Sequence, residues 1–448
     1  PTPSRQHRHA NMPHPTPDRR PRVLMLAYCC SPYHGSEEGM GWNFATQAAR
    51  YCDTTVICEE HKFGGQVGRY LAEHGEIPGL RFVFVPERAW AKHLWRTPGG
   101  GYLSYNLWHR RALQAARRLD AEQPFDLVHQ VNIIGFREPG YLWKLDAPFV
   151  WGPVGGTQNY PTRFLPEAGV GGAIKELFRT IANRAQLKFG SRIRAAARRA
   201  SALLAANSSN LRDLESFGVQ PRLFPEVHST PRQPRDAERP DDELRLYWSG
   251  LFTPNKALSI AIKALAQLPP DVNVRLRVAG CGAQEKRWRR LARRLRVDDR
   301  IEWLGWLSHE QSLQQFGWAD AFVFTSLRDT TGTVVLESLS AGAPVICFDH
   351  QGVGDVIDAS CGVKVAVSNP RQAVREFAAA IDGLSRSPDQ LQRLRRGAER
   401  RAAQFTADDQ GRSLMEVYQS ILPHEMAGIL DNTLTAESNA RHENSLTV

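Results

Sequence analysis

The chain has 448 residues, of which 42% are hydrophobic, and a formal net charge of +10. This length exceeds what one hydrophobic core usually supports, so we expect two domains, and the charge predicts acidic partners such as phosphorylated ligands, nucleic acid or an anionic membrane face. Seven cysteines without C-x-x-C spacing argue against a disulfide framework or a zinc site and indicate a reducing, cytoplasmic compartment. The sequence has no apolar run of about 18 residues, so we expect no membrane span. Its first 22 residues lack the apolar segment of a signal peptide, so we expect no signal peptide.

The predicted elements alternate strand and helix in two series. The first series has strands at 22–27, 55–58, 81–85, 126–129, 148–151 and 202–206, separated by helices such as 42–51 and 107–121. The second has strands at 245–248, 274–279, 301–303 and 321–325, with helices at 257–268, 284–296 and 334–341. This alternation predicts an α/β protein with two doubly wound parallel sheets and a ligand cleft outside the carboxyl ends of their strands.

Composition divides the chain between and around these series. Pro, His and Arg dominate the first residues, which is typical of disorder, and a Pro-rich stretch without core residues separates the two series. We therefore divide the chain into a disordered tail (1–20), a first domain (21–228), a linker (229–242), a second domain (243–404), a helix that crosses back to the first domain (405–424) and a second disordered tail (425–448).

The stretch 325–346 carries two carboxylates, Asp329 and Glu337, on either side of a predicted helix start near Gly332. Free N–H groups and the positive end of the helix dipole favour an anion there. Glu337, one turn into the helix, would reach hydroxyl groups beside that anion, and Asp329 would meet a second part of the ligand. The alternative is a buried βα unit in which Asp329 forms a turn and Glu337 is a solvated helix residue.

Two further loops follow strands of the second domain. The loop 249–256 begins with Gly250 and ends with Lys256, whose ammonium group could contact a diphosphate. The alternative is an ordinary loop with a solvated lysine. Gly280 and Gly282 follow another strand and could let a base or a ribose approach the backbone.

In this order and spacing, the elements over 22–422, and most strongly over 246–362, resemble the retaining glycosyltransferases of family 4, polysaccharide-assembly type, which have the GT-B fold of two Rossmann-like domains facing a cleft. The resemblance implies that the donor is a nucleotide diphosphate sugar and that the acceptor is a lipid-linked or polysaccharide chain. It also implies donor-site roles: Lys256 for the diphosphate, the N–H groups of Thr333 and Val334 for its phosphates, Glu337 for the ribose and Asp329 for the hexose.

The chain departs from this family's pattern at three positions. Leu251 stands where the family usually has an arginine, which removes one of two expected diphosphate cations. The first acid is Asp329 where the family has Glu. A strand that ends in His-x-His in the family here has His129 followed by Val131, so a role for His129 at the anomeric carbon competes with a purely structural role.

The first domain also resembles the family. Gly39 and Gly41 lie in a glycine-rich stretch after the first strand, where the family has a loop near the reacting sugar. The segment 151–156, WGPVGG, recurs in the polysaccharide-assembly branch, where it borders the cleft.

The expected reaction needs neither a metal nor a cofactor, because cations and a helix N-terminus can stabilise a leaving diphosphate. No D-x-D motif follows a predicted strand. Retention, as implied by the resemblance, would proceed by front-face attack, with the departing phosphate oxygen taking the acceptor's proton. Two rivals stay open: a nucleotide-sugar epimerase of the same fold, and a degenerate subunit that binds nucleotide sugars without catalysis.

The segment 174–200 is a basic amphipathic stretch with eight Lys and Arg residues and one acid, Glu176. It predicts either a docking surface for anionic lipid near a lipid-linked acceptor, at the inner face of the membrane, or a helix packed on the domain with a solvated basic face. The stretch 90–111 mixes aromatic residues, cations and glycines, as a mobile loop facing a membrane or acceptor does. We find no nucleic-acid-binding motif and expect no nucleic-acid partner.

Overall fold

The computed structural model describes residues 19–97, 100–229 and 243–445. Nearly all of the predicted N-terminal tail (1–20) and of the predicted linker (229–242) lies outside the described residues. Within the described ranges, no helix has the length and apolar character needed to cross a membrane.

The first domain is built on a seven-stranded parallel sheet with the order β3-β2-β1-β4-β5-β6-β7. Its strands are β1 (Arg22–Ala27), β2 (Asp53–Glu59), β3 (Leu80–Val85), β4 (Leu127–Asn132), β5 (Phe149–Val154), β6 (Ala202–Ala205) and β7 (Arg222–Leu223). Its helices are α1 (Ser36–Ala49), α2 (Gly65–His74), α3 (Gly100–Glu122), α4 (Leu165–Phe189), α5 (Ser191–Arg199) and α6 (Ser208–Glu215).

The second domain is built on a six-stranded parallel sheet with the order β10-β9-β8-β11-β12-β13. Its strands are β8 (Leu244–Ser249), β9 (Val274–Ala279), β10 (Ile301–Gly305), β11 (Ala321–Phe324), β12 (Val345–Phe348) and β13 (Gly362–Val365). Its helices are α7 (Leu258–Leu265), α8 (Glu285–Arg294), α9 (His309–Trp318), α10 (Thr333–Ser340), α11 (Gln351–Val356), α12 (Pro370–Arg386) and α13 (Pro388–Ala402). Two doubly wound sheets are the predicted architecture, and it is confirmed.

Strand β1 shows how each sheet is covered on both faces. Alternate side chains of a strand point to opposite faces. Leu24 and Leu26 belong to the apolar cluster that contains Trp108 of α3, whereas Val23 and Met25 belong to the cluster on the other face. Strands buried on both faces consist of apolar residues throughout, which is why β1 was predictable from its residues alone.

The C-terminal helices return to the first domain. The helix α14 (Ala407–Gln419) packs on α1, where Asn43 donates a hydrogen bond to the Oε1 of Gln410 at 2.7 Å. The predicted disordered tail from residue 425 is wrong, because residues His424–Ser445 form a helix, α15. Met426 and Leu430, spaced by four residues, are buried in the same cluster as α14. This apolar spacing within a polar segment is what holds α15 on the domain.

The helix α4 exposes its apolar residues and buries polar ones, the opposite of an ordinary amphipathic helix. Its apolar residues Ile174 and Phe178 are 66% and 73% exposed, and Leu177 and Ile181 are exposed as well. Its polar residues Glu176, Thr180 and Asn183 are buried instead. The helix therefore packs on the protein through its polar row, because these residues meet charged and backbone groups there, and its apolar stripe is left exposed beside the cations.

Candidate active site

Both domains line one cleft with a cavity of about 460 Å³. The first domain contributes the start of α1 and Ile134, and the second contributes α9 and the loop between β11 and α10. The segment 226–228, which leads out of the first domain, lines it between them. The cavity therefore lies outside the carboxyl ends of the strands, where ligands bind in open parallel sheets.

The N-terminus of α10 opens into this cavity. Gly332 precedes the helix with a φ of 91°, which favours glycine, and both Gly332 and Thr333 line the cavity. The first N–H groups of an α-helix have no acceptor within the helix, so those of Thr333 and Val334 are available to an anion. The helix start was predicted within one residue.

Asp329 and Lys256 form an ion pair in the structure. The sequence predicted both residues for the donor site but assigned them to different parts of the ligand. Ser326 donates a hydrogen bond to the same carboxylate at 3.2 Å, and the Asp329 N–H donates to Gln351 Oε1 at 2.8 Å. The lysine therefore neutralises Asp329 at the cavity edge, and a bound anion would compete with this carboxylate for the ammonium group.

Glu337 is buried in the cavity wall, and its Oε1 lies 2.9 Å from the Nε2 of His309. The hydrogen bond to Glu337, reinforced by the carboxylate charge, raises the pKa of His309 above its ordinary value. Sequence reasoning missed His309. The available signal was the capping box of Ser308 and Gln311, which places His309 at the first position of α9.

Gly280 and Gly282, which were predicted to lie beside a base or a ribose, pack against another loop of the second domain. Neither lines the cavity. A Cβ at Gly280 would lie 1.9 Å from the carbonyl oxygen of Gly250, and a Cβ at Gly282 would lie 2.9 Å from that of Phe252. These glycines let two loops of the protein pack against each other on the side where a side chain would project.

Two buried carboxyl groups of the cavity were not among the predicted site residues. Burial raises the pKa of Glu226 to about 8, and Thr331 Oγ1 donates to its Oε2 at 3.1 Å. Burial likewise raises the pKa of Glu37 to about 7, and the Ile134 N–H donates to its Oε1 at 3.2 Å. Sequence patterns do not reveal such residues, because their surroundings include segments distant in the chain, Thr331 for Glu226 and Ile134 for Glu37.

The glycines predicted near the reacting sugar lie in the first two turns of α1. Gly39 lines the cavity. Gly41 instead faces Cys29, whose carbonyl oxygen would be 2.0 Å from an added Cβ. Gly41 therefore lets α1 approach the end of β1, whereas Gly39 lies in the cavity wall.

His129 does not reach the cleft. It lies in β4 with no exposed surface, one ring nitrogen 2.7 Å from the hydroxyl of Tyr418 and the other 2.7 Å from the carbonyl oxygen of Gly152. Burial lowers its pKa to about 4, so it is a neutral imidazole. The predicted role at the anomeric carbon is corrected by this placement: His129 is a structural residue that joins β4 to α14. In the ranges that the structure describes, no group of three or more His, Cys, Asp and Glu residues is placed to hold a metal ion.

Sequence comparison finds a matching family model and several relatives. Residues 229–401 match the family model of the Glycosyl transferases group 1. A D-inositol 3-phosphate glycosyltransferase of Streptomyces bingchenggensis is 29% identical over 240 residues, 48% of this chain and 52% of that protein. A putative colanic acid biosynthesis glycosyltransferase, WcaL of Salmonella typhimurium, is 28% identical over 196 residues, 42% of this chain and 48% of that protein. The chain thus spans about half the length of the curated relatives it matches.

Structural comparison covers both domains. The crystal structure of Anabaena Alr3699/HepE in complex with UDP and glucose aligns with a TM-score of 0.57 and 17% identity, over 89% of this chain and 99% of that one. Sucrose-phosphate synthase from Thermosynechococcus elongatus aligns with a TM-score of 0.62 and 16% identity, over 89% of this chain and 98% of that one. At such low identity the likeness establishes the fold. The chain is therefore a protein of GT-B fold that carries a glycosyl transferases group 1 domain.

Proposed function

We propose that this protein is a retaining hexosyltransferase of the family 4 type, which moves a hexose from a nucleoside diphosphate sugar to a lipid-linked or polysaccharide acceptor without a metal ion. The observation that carries the proposal is the convergence on one interdomain cavity of a helix N-terminus, the Lys256–Asp329 pair and the carboxylate of Glu337. An anion site beside two hydroxyl-binding acids matches the chemistry of a nucleotide sugar.

The geometry of the cavity supports the donor roles that the resemblance implies. Thr333 and Glu337 are four residues apart on α10 and both line the cavity, so a diphosphate at the helix start would lie one turn from this carboxylate. Glu337 would accept hydrogen bonds from the ribose hydroxyls. Asp329, on the preceding loop, would accept them from the hexose. The UDP and glucose in the Anabaena structure support a uridine nucleotide as the first candidate.

The reaction needs no side chain as a nucleophile. The bond between the anomeric carbon and the diphosphate oxygen breaks, and the acceptor oxygen bonds to the same face of that carbon. The acceptor's proton passes to the departing phosphate oxygen. Lys256 and the N–H groups of Thr333 and Val334 would stabilise the charge that develops on this oxygen. Leu251, which is exposed, supplies no charge at the position where the family usually has arginine.

The acceptor side of the proposal rests on α4. Its exposed stripe of Ile174, Leu177, Phe178 and Ile181 is flanked by exposed cations, among them Lys175, Arg184 and Lys188. Both acids of this helix, Glu167 and Glu176, are buried, so its exposed charges are all positive. An apolar stripe bordered by cations is complementary to the interface of an anionic bilayer. We propose that α4 docks the protein on the cytoplasmic face of such a membrane, where a lipid-linked acceptor is found.

A thermal-shift screen against UDP, GDP and ADP and their sugar conjugates tests the donor site, since a ligand that binds the folded state raises the melting temperature. We expect one nucleotide to raise it and its sugar conjugate to lose the hexose to an acceptor. If no nucleotide raises the melting temperature, the donor site is misassigned. Release of an epimerised sugar nucleotide without acceptor would identify an epimerase, and binding without transfer or hydrolysis would identify a non-catalytic subunit.

A further inference from the structure

The loop that carries Asp329 is held by side chains of the opposite domain. Arg328, the preceding residue, makes two parallel hydrogen bonds to the carboxylate of Glu176 on α4, at 2.9 and 3.0 Å. Thr330, the following residue, accepts a hydrogen bond from Gln158 at its hydroxyl (3.1 Å) and one from Asn207 at its carbonyl oxygen (2.9 Å). Asp329 thus lies between two residues whose positions depend on the first domain.

Gly155 of the WGPVGG segment belongs to the same contact. An added Cβ at Gly155 would lie 3.0 Å from the Cγ2 of Thr330, so a side chain there would press on the loop. The segment 151–156, predicted to border the cleft, therefore contacts the loop that carries Asp329.

The pair of Glu176 and Arg328 is the ion pair among these contacts. The side chains of Glu176 and Arg328 are 4% and 18% exposed. Glu176 lies among positive charges. The pKa of neighbouring Arg179 is lowered to about 10, first by burial and second by the charge of Arg328. Glu176 therefore balances more than one cation, and its removal leaves buried positive charges facing each other.

Within its own domain the loop is held by other groups. The carbonyl oxygen of Arg328 accepts a hydrogen bond from Asn255, which is adjacent to Lys256, and the Asp329 N–H donates to Gln351. These bonds fix the backbone, whereas the side chain of Arg328 is fixed from across the cleft. The carboxylate of Asp329 itself contacts Lys256, Ser326 and the N–H of Thr330, all in the second domain. The loop that carries it is thus held by both domains, through the residues on either side of Asp329.

We propose that Glu176 is a positioning residue for the transfer reaction: by holding Arg328 it sets the position of Asp329 relative to the donor hexose. The expected effect on catalysis rests on the proposed function. The expected effect on the position of the loop rests on the ion pair alone. A displacement of about 1 Å in a catalytic group can lower the rate about 100-fold, so a contact across the cleft is sufficient to control turnover.

The test compares Glu176→Gln with Glu167→Gln. Glu167 is a matched control, because it is also a buried glutamate of α4 that contacts the second domain, through Ser259 at 2.8 Å and Lys263 at 2.5 Å. Its partners lie on α7 and not on the loop of Asp329. Arg328→Lys is the second variant, which keeps the charge and loses the paired hydrogen bonds, in case Glu176→Gln does not fold.

Two readouts decide the proposal. The first is hydrogen exchange of the backbone amides of 326–333, which needs no activity: we expect about tenfold faster exchange in Glu176→Gln and no change in Glu167→Gln. The second is turnover: we expect kcat to fall about 10- to 100-fold in Glu176→Gln, with the nucleotide Kd within about threefold of wild type.

Unchanged exchange in both Glu176→Gln and Arg328→Lys would overturn the proposal, and so would an equal loss of kcat in the Glu167 control. If the wild-type protein transfers no sugar from any nucleotide, the proposed function fails. The exchange measurement would still decide whether Glu176 holds the loop.

Discussion

The carboxylate of Glu337 and the imidazole of His309 lie 2.9 Å apart in the wall of the cleft. Glu337 is the residue that we assign to the donor ribose, so a ribose would meet a carboxylate that already has one hydrogen-bond donor. A carboxylate oxygen can accept more than one hydrogen bond, and His309 leaves the second oxygen and the remaining lone pairs available. The pair therefore orients Glu337 without blocking it.

The His309–Glu337 pair predicts a pH dependence of stability. Because the pKa of His309 is raised in the folded state, its stabilising contribution is complete below the ordinary pKa of 6.5 and is lost as the pH rises through the folded value. We expect the melting temperature of wild type to exceed that of His309→Gln at about pH 5, and the difference to shrink above neutrality. His74→Gln, on the exposed end of α2, is the control for the replacement of a histidine by glutamine. A difference that grows with pH would contradict the assignment.

The two acids of the site predict separate effects on binding and turnover. We expect Glu337→Ala to weaken nucleotide binding about 10- to 100-fold, because it removes a charged acceptor of ribose hydrogen bonds. Asp329→Ala should change nucleotide affinity less and mainly lower kcat, because its proposed partner is the hexose. Calorimetry with the nucleotide and steady-state kinetics measure the two quantities. The reverse pattern would show that the roles of the acids are exchanged.

Glu226 predicts a loss of stability with rising pH. Its pKa is raised from 4.5 to about 8 in the folded state, so the unfolded chain releases this proton first and the stability falls as the pH rises between these values. The Glu226→Gln side chain has the same shape and can still accept the hydrogen bond from Thr331, but it has no proton to release. We therefore expect its melting temperature to fall less than that of wild type between about pH 5 and 8. Parallel curves for the two proteins would show that Glu226 is not protonated in the folded state.

The exposed face of α4 predicts binding to anionic vesicles. A charge at the centre of the apolar stripe is costly to insert into a bilayer, so Phe178→Glu should lower the fraction that floats with phosphatidylglycerol-containing vesicles by at least about tenfold. Leu223→Glu is the matched control, since Leu223 is an exposed leucine on β7 in the same domain. Equal flotation of Phe178→Glu and wild type, or an equal loss in Leu223→Glu, would exclude α4 as the docking surface.

The strands were the most predictable part of the fold, and the reason is local. The bounds of β1 and β9 match the predicted ranges 22–27 and 274–279. Strand β1 is a run of adjacent apolar residues because both of its faces are buried. In β9 the buried residues Val274, Leu276 and Val278 alternate with two arginines, which is the period of a strand with one buried face. The start of α10 beside Gly332 could also be predicted from the sequence, since a glycine before a helix is a local signal. The helix α15 was missed because the apolar residues that pack on the domain, Met426, Leu430 and Leu434, are few and lie in an otherwise mostly polar segment.

The amino-acid sequence by itself determined the two βα series, the helix start that can hold an anion, and the presence of Lys256, Asp329 and Glu337 near it. Each of these depends on residues close together in the chain. Only the tertiary structure decided that His309 contacts Glu337 and that both ring nitrogens of His129 are hydrogen-bonded, to Tyr418 and to a carbonyl group. It also decided that α4 turns its polar row inward to meet Arg328. These outcomes depend on which surfaces of the two domains meet, because burial and long-range hydrogen bonds follow from the packing of distant segments and not from local pattern.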